Sequence, residues 1–316
     1  MFNDILGHDG VLNRLTDALS DGRLPHGLLF AGPVGVGKAT VAEQLAIAFL
    51  GGTDDVAHRI RGGNHPDYHV VTRQLIRHHD ATGKSKAIDL TVKVIRPELV
   101  EPANRKSIEG VGKVFVVEEA ETMNAAAQNA LLKTLEEPHG RTLIVLLTDR
   151  PESLLPTVRS RCQTFRFGEL SDADAVKVLA NGGVNEEDAK QAVAIAGGSP
   201  GRATRFLEDG VIESAGELFR RLDDRSDMSD FLQKAAERQA AADLERDPLG
   251  SKDSFTRSGL ALYLGLAADH LRRRLVDGDQ PELLCEQIDA VARAERYLDA
   301  NVNVGLALRQ LDLALA

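Results

Sequence analysis

The stretch Leu28-Leu29-Phe30-Ala31-Gly32-Pro33-Val34-Gly35-Val36-Gly37-Lys38-Ala39-Thr40 joins a short apolar run to a glycine-rich turn that ends in a lysine. Its second part follows the pattern G-x-x-x-x-G-K-[ST] as far as the lysine. In such loops the glycines let backbone N–H groups turn towards phosphate oxygens, while the lysine and the following helix start add positive charge. Gly32, Gly35, Gly37 and Lys38 are therefore predicted to hold the phosphates of a nucleotide. The alternative is a glycine-rich turn with a surface lysine.

The last position of the pattern is different in this chain. Ala39 stands where a Ser or Thr hydroxyl would bind Mg²⁺, and a methyl group cannot do so. Thr40 is adjacent, but one residue is about 100° around a helix, so its hydroxyl cannot take that place without a change of register. The loop, with Ala39 and Thr40 at its end, is thus predicted to bind ATP or ADP, whereas Mg²⁺-assisted hydrolysis is not expected.

Further short apolar or β-branched runs occur before and after helical patterns. Three of the runs are apolar without alternation, which is typical of strands covered on both faces. One helical pattern runs from near Gly37 to about Leu50, and another carries Met123 and Leu135 and stops before Pro138. The fold class predicted is α/β, a parallel sheet with helices on both faces. The runs are Leu28–Ala31, Tyr68–Val71, Val114–Val117, Leu143–Leu147 and Thr164–Phe167.

Two segments of this half lack a clear pattern. Gly51 to Gly63 is polar and glycine-rich, and is predicted to be a loop or a poorly packed insert. Residues 78 to 110 are rich in Lys, Pro and Asn, and are predicted to be irregular.

Composition and charge limit the class of protein. The 316 residues are 43% hydrophobic and 27% charged, which is ordinary for a globular chain of two or three domains. No apolar run approaches the roughly 20 residues that cross a bilayer, and no signal peptide is recognisable. Two cysteines, Cys162 and Cys285, make no disulfide framework, so a cytoplasmic location is expected. The net charge of −10 and the absence of Trp argue against an autonomous nucleic-acid-binding protein.

An acidic cluster follows one of the apolar runs. Glu118, Glu119 and Glu121 come directly after Val114–Val117. Because ligands of open α/β sheets bind at the carboxyl ends of the strands, these carboxylates are expected beside the phosphate loop. Glu118 is predicted to be the metal-side group, although Asp is usual there, and Glu119 is predicted to orient an attacking water. The alternative is that they mark a helix start, where acidic residues are common.

Four segments resemble the clamp-loader branch of the AAA+ ATPases. They are Asn129–Pro138 (NALLKTLEEP), Leu155–Cys162 (LPTVRSRC), His65–Tyr68 (HPDY) and residues 300–303 (ANVN). The resemblance implies an AAA+ P-loop domain, a small helical lid and an all-helical collar that joins subunits. The composition changes after Phe167, where strand patterns give way to alanine-rich helical ones. The domains are therefore expected at 1–167, 168–210 and 211–316.

The resemblance implies roles for three further residues. Arg161 matches the arginine finger of the Ser-Arg-Cys motif, which reaches ATP bound by a neighbouring subunit. The alternative is that Arg159 and Arg161 simply alternate along a strand end. Thr148 matches a sensor near the γ-phosphate, or else its hydroxyl bonds a local backbone group. Arg202 matches the second sensor, facing the nucleotide from the lid, or else faces solvent.

The resemblance also implies partners. The chain is expected to assemble with gamma/tau-type clamp-loader ATPase subunits and a delta-type subunit. Through the assembled loader it would act on the sliding clamp and, mainly indirectly, on primed DNA, with no membrane partner. Its own ATPase activity is expected to be weak or absent. An active gamma/tau-type motor subunit is the alternative, against which Ala39 and the short chain argue, and a P-loop ATPase unrelated to replication is a third.

Many members of this family carry a four-cysteine zinc module after the first helix. The corresponding stretch here, Gly51 to Gly63, contains no cysteine. Five histidines lie between His58 and His79, but their spacing fits no known metal pattern. Neither zinc nor another bound metal is expected.

Overall fold

The computed structural model describes residues 2, 4–79, 89–276, 278, 280–300 and 302–315. The chain divides into two compact units, Met1–Thr204 and Arg205–Ala316. The three domains expected from the sequence, with boundaries at residues 168 and 211, stay a prediction. Asn301, one of the residues that carry the family resemblance, lies outside the described residues.

The first unit is built on a parallel sheet of five strands. Its strands are β1 (Gly27–Ala31), β2 (Tyr68–Val71), β3 (Lys113–Val117), β4 (Thr142–Thr148) and β5 (Gln163–Arg166). They lie in the order β2-β3-β4-β1-β5, and each predicted strand is confirmed. Every residue of β1, β3 and β4 is buried. Because alternate side chains of a strand point to opposite faces, both faces of the central sheet are covered, as the unbroken apolar runs predicted.

The register aligns the strand ends that matter for a ligand site. Ala31 pairs with Thr148, and Val117 pairs with Leu146. The carboxyl ends of β1, β3 and β4 therefore meet at one edge of the sheet, which is where ligands of such sheets bind.

Helices precede, connect and follow the strands of this unit. The two helices predicted near Gly37 and before Pro138 are confirmed as α2 and α7. The side chain of Asn124 caps α7 by accepting the Ala127 N–H at 3.0 Å. The helices are α1 (Asp9–Ser20), α2 (Lys38–Phe49), α3 (Asp54–Arg61), α4 (Ile76–His79), α5 (Val92–Ile95), α6 (Glu101–Ala103), α7 (Ala125–Glu136), α8 (Pro156–Arg159), α9 (Asp172–Asn181), α10 (Glu186–Ala196) and α11 (Pro200–Glu208).

The prediction of a loop or poorly packed insert between Gly51 and Gly63 is wrong, because α3 lies there. The Thr53 hydroxyl caps the helix by accepting the Val56 N–H at 3.2 Å. Val56 and Ile60, one turn apart, are both buried. A threonine followed by two aspartates is a helix-start signal that outweighs the flanking glycines.

The prediction that residues 78–110 are irregular is also wrong for much of the described part. From Val92 to Ala103 the chain is helical, with a π-helical turn at Arg96–Val100 between α5 and α6. Val94 and Leu99 have no solvent exposure, so this segment is part of the core. Two prolines hide its helical pattern, yet both stand at the starts of short helical segments, where proline is tolerated.

The chain that the structure describes after β5 forms helices and connecting turns, which confirms the predicted helical C-terminal region. The second unit contains α12 (Val211–Asp223), α13 (Ser229–Arg246), α14 (Lys252–Val276), α15 (Pro281–Asp299) and α16 (Val304–Leu315). Across the described ranges, no helix combines the length and the apolar composition that crossing a membrane requires.

Candidate functional site

The predicted phosphate loop lies at the carboxyl edge of the sheet, between β1 and α2. The Gly32 N–H donates to the Thr148 carbonyl at 3.1 Å, which attaches the start of the loop to the end of β4. Gly35 and Gly37 have φ angles of 78° and 105°, a backbone region that favours glycine. These two residues turn the chain back so that α2 begins at Lys38.

The loop opens on a cavity of about 780 Å³ within the first unit. Cavities that bind small molecules and cofactors range from about 300 to 1,000 Å³. The backbone N–H groups of residues 34–38 have no hydrogen-bond acceptor among the described residues, and all five residues line the cavity. The size and these N–H groups fit the phosphates of a nucleotide, whereas the side chain of Ala39 offers no oxygen to Mg²⁺. Of the predicted site residues, Gly35, Gly37, Lys38, Ala39, Thr40, Glu118, Glu119 and Thr148 line it.

Lys38 is buried and bound to its own loop. Its Nζ donates to the carbonyls of Gly32 and Pro33 at 2.5 and 2.7 Å. Burial lowers the pKa of Lys38, while the nearby carboxylates of Asp149 and Glu121 oppose that shift. The two carbonyls use two of the three N–H groups of the ammonium, which leaves one for a phosphate oxygen.

The two carboxylates predicted at the end of β3 lie at the cavity, in different environments. Burial, and then the charge of Glu119, raise the pKa of Glu118. Glu119 has a more exposed side chain and forms an ion pair with Arg73, whose Nε lies 2.8 Å from its Oε2. The group predicted to orient a water is therefore held by a cation. Arg73, only two residues after β2, was missed because nothing in its local sequence marks it.

Glu121 and Asp149 also line the cavity and carry acidic groups that were given no role from the sequence. Burial is the main cause that raises the pKa of Glu121, and the charge of Asp149 adds to it. The Thr148 hydroxyl accepts the Arg150 N–H at 3.1 Å. The alternative to a sensor role was a hydrogen bond between this hydroxyl and a local backbone group, and such a bond is present. Thr148 nevertheless lines the cavity.

Arg161 lies away from this cavity and is not among the residues that line it. Its Nε donates to Glu136 at 2.7 Å, and its Nη2 pairs with the same carboxylate. Its Nη1 donates to the Thr157 carbonyl at 2.9 Å, and the side chain stays 33% exposed. Arg159 ends α8, and Arg161 precedes β5. The two arginines therefore do not alternate along a strand, so that alternative is wrong.

A buried glutamine supports the segment that leads to Arg161. Gln128, on α7, donates to the carbonyls of Met123 at 2.8 Å and Ser153 at 3.3 Å. Its Oε1 accepts the Leu155 N–H at 2.6 Å, just before α8. The family resemblance begins one residue later, so this position was not singled out from the sequence.

Arg202 lies in the first turn of α11, next to the phosphate loop but outside the cavity lining. Its N–H donates to the Ser199 hydroxyl at 3.3 Å. Its predicted contact with a nucleotide stays a prediction.

Comparisons with known proteins show that this chain is similar to subunits of DNA polymerase III. A family model described as DNA polymerase III, delta subunit, matches residues 7–171. The DNA polymerase III subunit delta' of Bacillus subtilis is 35% identical over 169 residues, which cover 51% of this chain and 47% of that protein. The Pseudomonas aeruginosa subunit delta' is 33% identical over 204 residues, covering 61% of this chain and 59% of that protein. A Haemophilus influenzae DNA polymerase III subunit tau/gamma is 30% identical over 189 residues, covering 57% of this chain and 25% of that protein.

Proposed function

Because this chain belongs to the DNA polymerase III delta subunit family, we propose that it is a clamp-loader subunit in DNA replication. The matched segments span about half of the delta' relatives' own length, so its activity and partners are part of the proposal. It assembles with gamma/tau-type ATPase subunits and a delta-type subunit, and the assembled loader places the sliding clamp on primed DNA. The net charge of −10 favours contact with DNA through the assembly rather than by this chain alone.

The chain donates Arg161 to the ATP site of a neighbouring subunit. The observation that carries this role is the position of Arg161, partly exposed and outside the cavity of its own loop. Glu136 and the Thr157 carbonyl take one N–H from each guanidinium nitrogen, which leaves one donor on each terminal nitrogen. A guanidinium anchored in this way can still bind phosphate oxygens and stabilise the charge of a phosphoryl-transfer transition state.

The test is the ATPase activity of the reconstituted loader with Arg161→Ala. An arginine finger is worth about 10³-fold or more at the site that receives it, so the loader should lose that site's share of turnover while still assembling. Arg159→Ala is the matched control, because Arg159 is exposed in the same short segment. Unchanged turnover in the Arg161 variant, with normal assembly, contradicts the finger role.

The chain's own loop holds ATP or ADP without rapid hydrolysis. The cavity, the N–H groups of residues 34–38 and Lys38 support binding. Ala39 supplies no Mg²⁺ ligand, and Arg73 holds Glu119. Both features argue that turnover at this site is slow.

A second candidate is an active motor subunit of the gamma/tau type. Two observations favour it: the similarity to tau/gamma proteins, and the presence in the loop of every glycine and of the lysine that the phosphate-loop pattern requires. Ala39 argues against it, and the hydrolysis rate of the isolated chain separates the two.

A further inference from the structure

The phosphate loop is braced from outside through its carbonyl groups. The Lys38 ammonium donates hydrogen bonds to the carbonyls of Gly32 and Pro33. The next three carbonyls accept hydrogen bonds from parts of the chain that are distant in sequence. Val34 O accepts from the Ser199 hydroxyl at 2.7 Å, Gly35 O from the Gly201 N–H at 2.8 Å, and Val36 O from His8 Nε2 at 2.9 Å. Five consecutive carbonyls thus each have a donor.

The fixed carbonyl groups determine the direction in which the N–H groups of the loop point. A peptide unit is planar, with its C=O and N–H pointing in opposite directions. Fixing the carbonyls of residues 33–36 therefore directs the N–H groups of residues 34–37 the opposite way. Those N–H groups have no acceptor among the described residues, and they belong to the residues that line the cavity. The outer contacts therefore hold the loop in the form that can bind an anion.

His8 is itself held rigidly. Its carbonyl accepts the N–H groups of Val11 and Leu12 at the start of α1, at 2.8 and 3.0 Å. Its ring packs edge-on against Phe167, with 4.9 Å between the ring centres. Because a carbonyl can only accept, Nε2 must carry the proton that bonds Val36 O.

Ser199 and Gly201 pack closely against the loop at Val34 and Gly35. A Cβ added at Gly35 would lie 2.6 Å from the Ser199 hydroxyl oxygen, and one added at Gly201 would lie 2.7 Å from the Gly35 Cα. Glycine at both positions permits this close approach. Ser199 is only 1% exposed. Neither His8 nor Ser199 is among the residues that line the cavity.

We propose that His8 and Ser199 are positioning residues that set the affinity of the loop for the diphosphate of a nucleotide by holding its carbonyls outward. This inference rests on the proposed nucleotide binding and adds residues that act through the loop backbone. Loss of either bond lets the loop populate forms in which the amides no longer converge, and this lowers affinity without removing a ligand contact.

The test uses two measurements on the full chain. The first, called loop exchange, is hydrogen exchange without ligand of the Gly201 amide, which donates to Gly35 O and so reports on the loop. The second is equilibrium binding of a fluorescent ADP analogue without Mg²⁺. In His8→Ala the Gly201 amide should exchange faster, because its acceptor Gly35 O is no longer held in place, and ADP affinity should fall about three- to tenfold, the range expected for one hydrogen bond. Ser199→Ala should do the same. His8→Gln, which keeps a donor of similar reach, should restore affinity to within about twofold of the unmodified chain. His58→Ala, on the exposed side of α3, should change neither measurement.

The outcomes separate the brace from the binding function. Unchanged loop exchange and unchanged affinity in His8→Ala, with normal thermal unfolding, overturn the inference. Faster exchange in a chain that binds no ADP supports the brace and overturns the nucleotide-binding part of the proposed function. Weaker ADP binding without a change in loop exchange also contradicts the brace, because the effect then does not pass through the loop.

Discussion

Lys38 and Ala39 show which features of the site can be predicted from the local sequence. The glycine-lysine spacing predicted the loop, and the missing hydroxyl follows directly from the identity of residue 39. The partners of single residues could not be predicted in the same way. His8 and Val36 are 28 residues apart, and Ser199 and Val34 are 165 apart. No local pattern marks such pairs, because only the folded chain brings them together.

The two cysteines should differ sharply in reactivity. Burial raises the pKa of the Cys162 thiol to about 12, whereas Cys285 is exposed. Because the thiolate is the reactive form, a thiol reagent such as DTNB should modify one cysteine per native chain near pH 8, and both after unfolding. In Cys285→Ser the native chain should release almost no chromophore. Rapid reaction of that variant would show that the Ser-Arg-Cys segment opens readily.

At the scale of elements, the strands were predictable and two helical segments were not. Central strands buried on both faces leave unbroken apolar runs, which are easy to recognise. The helix α3 and the helical turns at Val92–Ala103 lie among glycines, prolines and charges. They form because a few apolar side chains in each, such as Ile60 and Leu99, are buried by the rest of the unit. Tertiary burial therefore overrides a weak local pattern.

Gln128 joins α7 to the chain before α8, so its removal should destabilise this region. In Gln128→Ala the buried Met123 carbonyl and the part-buried Leu155 N–H lose their partner, which costs about 1–3 kcal/mol of unfolding free energy. Urea unfolding of the isolated chain measures it. Asn129→Ala is the matched control, since its neighbouring side chain is exposed and alanine favours the helix. Equal stability of the two variants would contradict the role assigned to Gln128.

At the scale of the whole molecule, the α/β unit and the helical region were both predicted from the change in composition after Phe167. The structure divides the chain into two units, and the boundary lies between Thr204 and Arg205. Helix α11 is continuous across this point. Composition does not reveal this boundary, because it lies inside one helix.

The isolated chain should hydrolyse ATP slowly or not at all. The side chain of Ala39 has no hydroxyl for Mg²⁺, and Arg73 holds Glu119. Steady-state phosphate release by the purified chain measures this, with Lys38→Ala to identify activity from the loop and Ala39→Ser to restore a hydroxyl. Turnover comparable to that of an active AAA+ ATPase, abolished by Lys38→Ala, would instead favour the motor function.

The sequence by itself determined the glycine-rich loop with its lysine, the strands, the lack of a hydroxyl at residue 39 and the family resemblance. Each of these depends on residue types at short, regular spacings, which survive in the linear order of the chain. The tertiary structure alone decided that Arg73 holds Glu119, that Glu136 anchors Arg161, and that His8, Ser199 and Gly201 brace the loop. Hydrogen bonds and ion pairs act over about 3 Å in space, and distance along the chain does not predict which groups come that close.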